Sequence, residues 1–440
     1  MNTTNFFHSV MLNRDKCHGC INCVKRCPTE AIRVRDGKAR IIKERCIDCG
    51  ECIRICPHHA KQAIFDPLSV MDHFAYKIAL PAPALYGQFN NLDDIDLILG
   101  ALQLMGFDEV YEVAKAAELV SDATRKYMLR EDIVRPVISS ACPAVLRLIR
   151  VRFPDLIENI LPLHAPVEVA ARMAKKAAAE KTGLPYDQIG AIFISPCPAK
   201  VTAVKMPLGT QKSKVDGVIA ISEVYPRLIS LMRDVPSSVD LSAAGRMGIG
   251  WGSSGGEAAA ALRERYLAAD GIENVIRVLE DLEDKKFYDL DFVELNACAG
   301  GCVGGVLNVE NPYVAKAKLK HIRKYRPVSC NHLPNDDLEP YHWDEPVEYE
   351  PVLELDANIK VAMDKMNKMH AIEERLYGVD CGSCGAPSCK ALAEDIVRGF
   401  ATEEACIFKL REEIQSLAQG LTRLSHFMPK ATADAHEEDV

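Results

Sequence analysis

The chain has no surplus of positive charge: 53 Lys and Arg stand against 62 Asp and Glu, leaving a formal net charge of −9. No basic block outweighs that balance, which argues against nucleic acid as the main partner. Also missing is any run of about 18 apolar residues, so no segment reads as a membrane-spanning helix. The opening MNTTNFFHSVMLNRDK lacks the long apolar core of a secretory signal. Together with thiols spaced for metal rather than for disulfides, this makes the cytoplasm the expected compartment. The glycine-rich GIGWGSSGG does not satisfy G-x-G-x-x-G, so no dinucleotide or flavin site is expected. Pyridine nucleotides would have to be handled by another subunit. At 440 residues, 48% of them hydrophobic, the chain has material for roughly three domains and a sizeable core.

What the chain has in excess is cysteine. All but one of its 17 cysteines fall into iron–sulfur spacings, the exception being Cys330, read as a structural or incidental thiol. The first eight read CHGCINCVKRCP from Cys17 to Cys27 and CIDCGECIRICP from Cys46 to Cys56. Both are Cys-x2-Cys-x2-Cys-x3-Cys-Pro, the bacterial two-cluster ferredoxin run, in which the fourth cysteine of each run ligates the other cluster. Cys17, Cys20, Cys23 and Cys56 are therefore expected to hold one 4Fe–4S cube, and Cys46, Cys49, Cys52 and Cys27 a second. Paired Cys-x2-Cys elements also suit zinc. Two complete four-cysteine runs, each closed by proline, favour iron–sulfur.

At about residue 76 the pattern changes. Short β-rich runs (YKIALPAPAL, DEVYEVA, RPVISSA, AIFISPC, DGVIAIS, FVELNAC) alternate with helical stretches such as DDIDLILGALQLMG and PVEVAARMAKKAAAEK. Such alternation predicts an α/β domain with a largely parallel sheet. Three of the strands run directly into cysteine, at Cys142, at Cys197, and at Cys298 followed by Cys302. Open α/β sheets hold ligands beyond the carboxyl ends of their strands, so four thiolates from three distant segments can converge there. A single cysteine after a strand is more often a core residue. The Cys298-x3-Cys302 pair in a glycine-rich setting favours ligation.

The three segments ISSACPA, IFISPCPAK and VELNACAGGC resemble the signatures of the catalytic domain of FeFe hydrogenases, written TSCCP, MPCxxKxxE and ExMACxxGC. The turn SSGGE at Ser253 to Glu257 and a strand APAL at Ala82 to Leu85 add to the match, which covers roughly residues 10 to 310. The resemblance implies that Cys142, Cys197, Cys298 and Cys302 hold the 4Fe–4S cube of an H-cluster. It implies that Cys302 also bridges to a two-iron unit carrying CO, cyanide and a dithiolate, and that Lys200 approaches a cyanide. The departures matter equally. Ala141 stands where the family has the proton-relaying first cysteine of its paired-cysteine signature, and Ala203 where it has a glutamate of the proton path. Ser195 and Asn296 replace two methionines that pack around the diiron unit. General acid–base transfer contributes about 10²–10⁴-fold in rate, so losing these groups implies slow turnover with the cofactor still bound.

Near the end, DCGSCGAPSCKALAEDIVRG supplies Cys381, Cys384 and Cys389, and Cys406 follows. The spacing resembles the small iron–sulfur domain of corrinoid iron–sulfur proteins and Rnf-type electron-transfer subunits; a zinc knuckle is the alternative. Gly382 and Gly385 suit the tight turns that set three thiolates on one cube face, and the run SCKALAEDIVRGFATEEAC is expected to return the fourth as a helix. Past Cys406, FKLREEIQSLAQGLTRL places apolar residues on one helical face, suited to docking, dimerising or packing on its own domain. ATADAHEEDV reads as frayed.

The expected organisation is an α+β two-cluster ferredoxin domain over 1–75 and an α/β FeFe-hydrogenase-like H-cluster domain over 76–330. A linker and helix follow over 331–370, then a small mainly helical 4Fe–4S domain over 371–410 and a helix and tail over 411–440. This arrangement resembles the sensory FeFe hydrogenase subgroups, without the PAS or kinase/phosphatase module of their better-known members. It implies H2/proton interconversion at low turnover, or H2 sensing, coupled to electron transfer through the cubes. The alternatives are a catalytic or electron-transfer subunit of a larger oxidoreductase, and an iron–sulfur assembly-type protein without a diiron site. Expected partners are H2, protons and a redox or signalling subunit, with a homodimer left open.

Overall fold

The computed structural model describes residues 7–287 and 289–427. The chain divides into two compact units. The first comprises the stretch up to His18, Arg26–Ala31 and Ile41–Leu353; the second comprises Gly19–Lys25, Ile32–Arg40 and the chain from Glu354 on.

In the first unit, strand Val10–Leu12 pairs antiparallel with Lys61–Ala63, Val10 opposite Ala63. The α/β part holds two parallel sheets, in line with the largely parallel pairing expected. The larger runs Glu109–Val110, Tyr76–Pro81, Ile189–Ser195, Gly217–Ala220; the smaller runs Tyr266–Asp270, Phe292–Asn296, Val137–Ile138. Registers are Tyr76 to Ile189, Ile192 to Gly217, and Phe292 to both Tyr266 and Val137. All seven residues of Ile189–Ser195 are buried, as a strand covered by helices on both faces requires. The helices Val113–Tyr127 and Pro166–Thr182 share a core with Ile78, Leu80 and Phe193. Pro166–Thr182 opens on proline at its first turn and closes on Gly183 in the left-handed region, where each residue's backbone preference suits the helix end.

Ala82–Leu85 is not a strand. Pro83 starts a 3-10 turn that runs to Gln88 and is buried throughout, because two prolines in three residues remove the donors a ladder needs. Strand Tyr266–Asp270 went unanticipated; its half-exposed, mixed pattern lacks the apolar run that marks the other strands.

In the second unit, the strands Ile32–Arg35 and Lys38–Ile41 meet at Asp36-Gly37. Both turn residues have positive φ, 54° and 68°, the conformation a two-residue hairpin favours. Helix Ile359–Arg375 is capped by the Asn358 side chain and packs with helix Cys389–Val397 through Met369, Ile372, Leu376 and Leu392. The helix expected to return the fourth cysteine breaks after Val397; Gly399 has φ 79° and a 3-10 turn Glu403–Ala405 leads into Cys406. Helix Ile407–Phe427 follows. The tail ATADAHEEDV lies outside the described residues. No helix among the described residues is long and apolar enough to cross a membrane.

Candidate metal centre

Two of the strand-end cysteines are built alike. Cys142 and Cys197 each sit at the N-terminal cap of a helix whose first residue is proline, Pro143–Arg152 and Pro198–Lys205. Peptide dipoles at such ends favour negative charge on sulfur. Cys298 and Cys302 flank Gly300 and Gly301, with φ of 80° and 90°. A Cβ on Gly301 would lie 2.3 Å from the Ser254 nitrogen, and one on Gly305 would lie 2.1 Å from the Pro196 oxygen. Glycine thus lets this loop close against the segment that carries Cys197. Ser195 Oγ accepts from the Cys197 N–H at 3.3 Å and donates to its carbonyl at 3.1 Å, pinning that cysteine. Asn308 Nδ2 donates to the Cys302 carbonyl at 2.8 Å.

The four thiols come together. Burial pushes Cys197 up to about 11, with the charges of Cys302 and Cys142 adding to it. Burial, with Cys197, Cys142 and Cys302 nearby, holds Cys298 well above the usual thiol range, and Cys302 is raised by burial as well. Four crowded sulfur donors on glycine-relieved loops fit a 4Fe–4S cube. Lys200 Nζ donates to the Ala141 carbonyl at 3.4 Å. Burial pushes its ammonium down, but the charge of Cys302, Cys197, Cys142 and Cys298 outweighs this and holds it above its ordinary value.

Beside Cys302 and Lys200 opens a cavity of about 60 Å³, lined also by Ala141, Glu257, Glu294 and Asn296. A neighbouring cavity of about 70 Å³ shares Ala141 and Lys200 and reaches Ala203 and His164. The two acids are candidate site residues that the sequence did not single out. Ser139 Oγ donates to Glu257 Oε2 at 2.6 Å, while the buried Glu257 Oε1 has no hydrogen-bond partner among the described residues. Glu294 accepts from the backbone nitrogens of Gly255 and Ala258 at 2.9 and 2.8 Å, and from Asn296 Nδ2 at 2.8 Å. Asn296 therefore serves a carboxylate. Burial and the charge of Glu294 raise Glu257 to about 8, against the pull of Ser139 and Lys200; burial raises Glu294 too. Each acid lies in a segment already singled out, SSGGE and FVELNAC. An acid in the middle of an apolar strand was the available signal.

The family profile for the iron-only hydrogenase large subunit, C-terminal domain, matches residues 75–268 and 257–306. This chain belongs to that family. Two further profiles match, a 4Fe-4S dicluster domain at residues 9–57 and an Fe-S cluster domain at 376–408. The chain is 24% identical over 347 residues to the NADP-reducing hydrogenase subunit HndD of Solidesulfovibrio fructosivorans, a match covering 66% of this chain and 55% of that subunit. It thus spans about half the length of that relative. To the periplasmic Fe hydrogenase large subunit of Nitratidesulfovibrio vulgaris it is 25% identical over 360 residues, covering 68% of this chain and 86% of the other. A variant of the FeFe-hydrogenase HydA1 from Chlamydomonas reinhardtii superposes with a TM-score of 0.50 at 16% identity, covering 64% of this chain and 99% of that one. At that identity the likeness shows the fold.

Within this hydrogenase framework, the second ferredoxin set gathers in the first unit. Burial holds Cys46 well above the usual thiol range, with Asp48, Cys27 and Cys52 adding; Cys49 is raised likewise by burial, with Cys27, Cys52 and Cys298 adding. The charge of Cys27 thus acts on Cys46 and Cys49 of the other run. Cys49 also feels Cys298, so the second ferredoxin set lies next to the strand-end quartet. Asp48, which sequence reasoning passed over, ties the two together. It is buried, accepts from the Thr202 hydroxyl at 2.9 Å and the Val10 N–H at 3.0 Å, and lies 2.9 Å from His8 Nδ1. Thr202 belongs to the helix that follows Cys197. Arg54 Nη2 adds a bond to the Gly304 carbonyl at 2.7 Å. Of the other ferredoxin set, Cys17 and Cys56 belong to the first unit and Cys20 and Cys23 to the second.

In the second unit, Cys384, Cys389 and Cys406 pack into one apolar cluster. The charges of Cys381 and Cys406 act on Cys384, whose thiol burial raises; the Ser383 N–H lowers Cys381. Gly382 and Gly385 have φ of 79° and 81°, as the expected turns demand. A Cβ on Gly385 would lie 2.0 Å from the Val34 oxygen. Asp395 accepts from Arg33 Nε at 2.8 Å and Arg35 Nη2 at 2.6 Å, and Arg35 Nη1 donates to the Cys384 carbonyl at 2.7 Å. The hairpin between the two ferredoxin runs thus braces the C-terminal cysteine loop. Cys330 is exposed and stands apart from every set, with its N–H donating to Glu118 at 3.0 Å.

Proposed function

We propose that the chain is an FeFe hydrogenase-type oxidoreductase of low turnover that senses hydrogen or redox poise and passes electrons through three further 4Fe–4S cubes. One observation supports this reading above the others. The four thiols and Lys200 converge as a hydrogenase site needs, while Ala141 and Ala203 line the adjoining cavities with methyl groups where proton relays are expected. Cys142, Cys197, Cys298 and Cys302 would hold the cube, and Cys302 would link it to the diiron unit. When bound, that unit supplies the centre at which H2 and two protons plus two electrons interconvert.

The residues of the chain then have distinct tasks. Lys200 keeps a positive charge against the cysteine cluster. Phe193, Trp251 and Ala82 keep the cavity wall apolar. Glu257, with a carboxyl raised to about 8, would hold a proton at Oε1 near neutral pH in the cavity that Glu294 and Cys302 also line. This acid pair offers an alternative to the relay lost at Ala141 and Ala203. Acceptors of the electrons would be a cytoplasmic redox or signalling partner.

A second reading, a subunit of a larger oxidoreductase, draws on the likeness to an NADP-reducing hydrogenase subunit in a chain without a dinucleotide motif. Protein co-expressed with the maturation enzymes decides between them. CO and cyanide infrared bands should appear, with slow hydrogen evolution from reduced viologen. Ala141→Cys/Ala203→Glu should then exceed the sum of the single changes, a relay being worth about 10²–10⁴-fold in an intact path. Brisk turnover in the parent favours the subunit reading. A double variant no faster than the parent refutes the relay account, and absence of the bands refutes the diiron site.

A further inference from the structure

Helix Ile407–Phe427 carries a pattern that neither the iron–sulfur sites nor the hydrogenase reading uses. Ile407, Leu410, Ile414, Leu417, Leu421 and Leu424 recur at alternating steps of three and four, which is the a/d repeat of three heptads. All six are exposed, from 43% at Leu410 to 69% at Leu421. The face by which the helix is held to its own unit is a different one. Phe408 stacks on Tyr377 with ring centroids 5.1 Å apart, and the Tyr377 hydroxyl bonds Glu412. Positions 408 and 412 are b and f of the repeat, opposite the seam. The apolar stripe therefore points away from the unit that anchors the helix.

A strict 3.5-residue period is wasted on a globular core, where a helix needs a wider face, and is matched by another helix of the same period. The helix is about 31 Å long. Its six seam side chains leave about 600 Å² exposed, so a pair of such helices covers about 1,200 Å², the lower bound for a specific interface. Isoleucine occupies a at 407 and 414, and leucine occupies d at 410, 417 and 424, the choice that favours two parallel strands. The flanking positions Ala418 and Gly420 are small enough to admit a close neighbour.

We propose that two copies of this chain associate through a parallel two-stranded coiled coil along Ile407–Leu424. Cys406 immediately precedes the seam, so this pairing sets the C-terminal cysteine loops of both copies at the same end of the rod. Electrons arriving at one copy then have a second set of cubes within the assembly.

The test uses the full chain, purified anaerobically and followed by sedimentation from about 1 to 50 μM. The expected species has twice the 48.6 kDa chain mass. Leu417→Lys should give a monomer at every concentration with iron per chain unchanged, which separates a lost seam from a lost fold. Orientation is read from Ala418. In a parallel pair, g faces the partner's e position five residues on, so Glu413 lies beside residue 418 of the second copy. Ala418→Lys should tighten the dimer and Ala418→Glu loosen it, by on the order of threefold each for two exposed ion pairs. A monomer throughout, or a dimer that survives Leu417→Lys, overturns the interface. Equal or reversed effects of the two Ala418 variants overturn the parallel arrangement.

Discussion

Glu257 should make the folded protein less stable as the medium turns alkaline, and Glu257→Gln should remove that dependence. Its carboxyl is raised from an ordinary 4.5 to about 8 by burial and by the charge of Glu294, with Ser139 and Lys200 opposing. Below pH 4.5 the group is neutral in both states and contributes nothing to the slope. Between 4.5 and about 8 the unfolded chain releases this proton while the folded one keeps it. The unfolded state then binds fewer protons, so stability falls as pH rises. Above that window both states are ionised and the loss stops growing. At 1.36 kcal/mol per unit, the displacement amounts to at most about 5 kcal/mol. Glutamine keeps an acceptor for the Ser139 hydroxyl but cannot ionise. The assay is urea unfolding of anaerobically purified protein at pH 6 and at pH 8.5. The parent should lose a few kcal/mol between the two and Glu257→Gln much less. Hydrogen evolution by the variant should fall by about 10²-fold or more at unchanged infrared band intensity if the acid carries protons. Parallel pH slopes for parent and variant would refute the reasoning, whatever the activity.

Removing Asp395 should unseat the C-terminal cysteine loop: Asp395→Ala leaves the Nε of Arg33, 6% exposed at its side chain, without the carboxylate that accepts from it at 3.0 and 2.8 Å. Breaking such a buried pair costs about 3–5 kcal/mol, so iron should be lost from the C-terminal site first, with the hydrogenase-type infrared bands retained. Cys27→Ala should damage the cube of Cys46, Cys49 and Cys52 and spare the one expected at Cys17, Cys20 and Cys23. EPR showing the opposite loss would contradict the cross-ligation. Gly305→Ala, whose new methyl would meet the Pro196 oxygen at 2.1 Å, should shift the loop carrying Cys302 and lower diiron occupancy, read as weaker CO bands against unchanged EPR of the ferredoxin cubes.

The cysteines made the outline readable because ligand spacing is a local property. Three of the four sets could be written down from short windows, and the strand-end positions of Cys142, Cys197 and Cys298 followed from the rule for open sheets. What the windows did not contain was the pairing of distant acids. Glu257 and Glu294 belong to different segments, and only the folded sheet brings them to one cavity. Asp48 was masked by its neighbours, since between two ligands a lone aspartate carries no spacing signal of its own. The division into two parallel sheets was hidden by strands of two residues, Glu109–Val110 and Val137–Ile138, too short to show a period. Ala82–Leu85 reads as a strand because its apolar composition resembles one, while Pro81 before it and Pro83 within it lack the donors a ladder needs. The seam of the last long helix was visible as a periodic face, but which side it turned to solvent depended on Tyr377.

The bond between Arg33 and Asp395 also sets a clock. These residues are 362 positions apart in the chain. A ribosome adding about 5–20 residues per second brings out the hairpin roughly 20–70 s before its aspartate. For that interval the arginines must remain hydrated, and the unit they belong to stays incomplete. The C-terminal cysteine loop that this hairpin braces is thus bound to translation order: its support is among the first pieces of the protein made and the loop itself among the last.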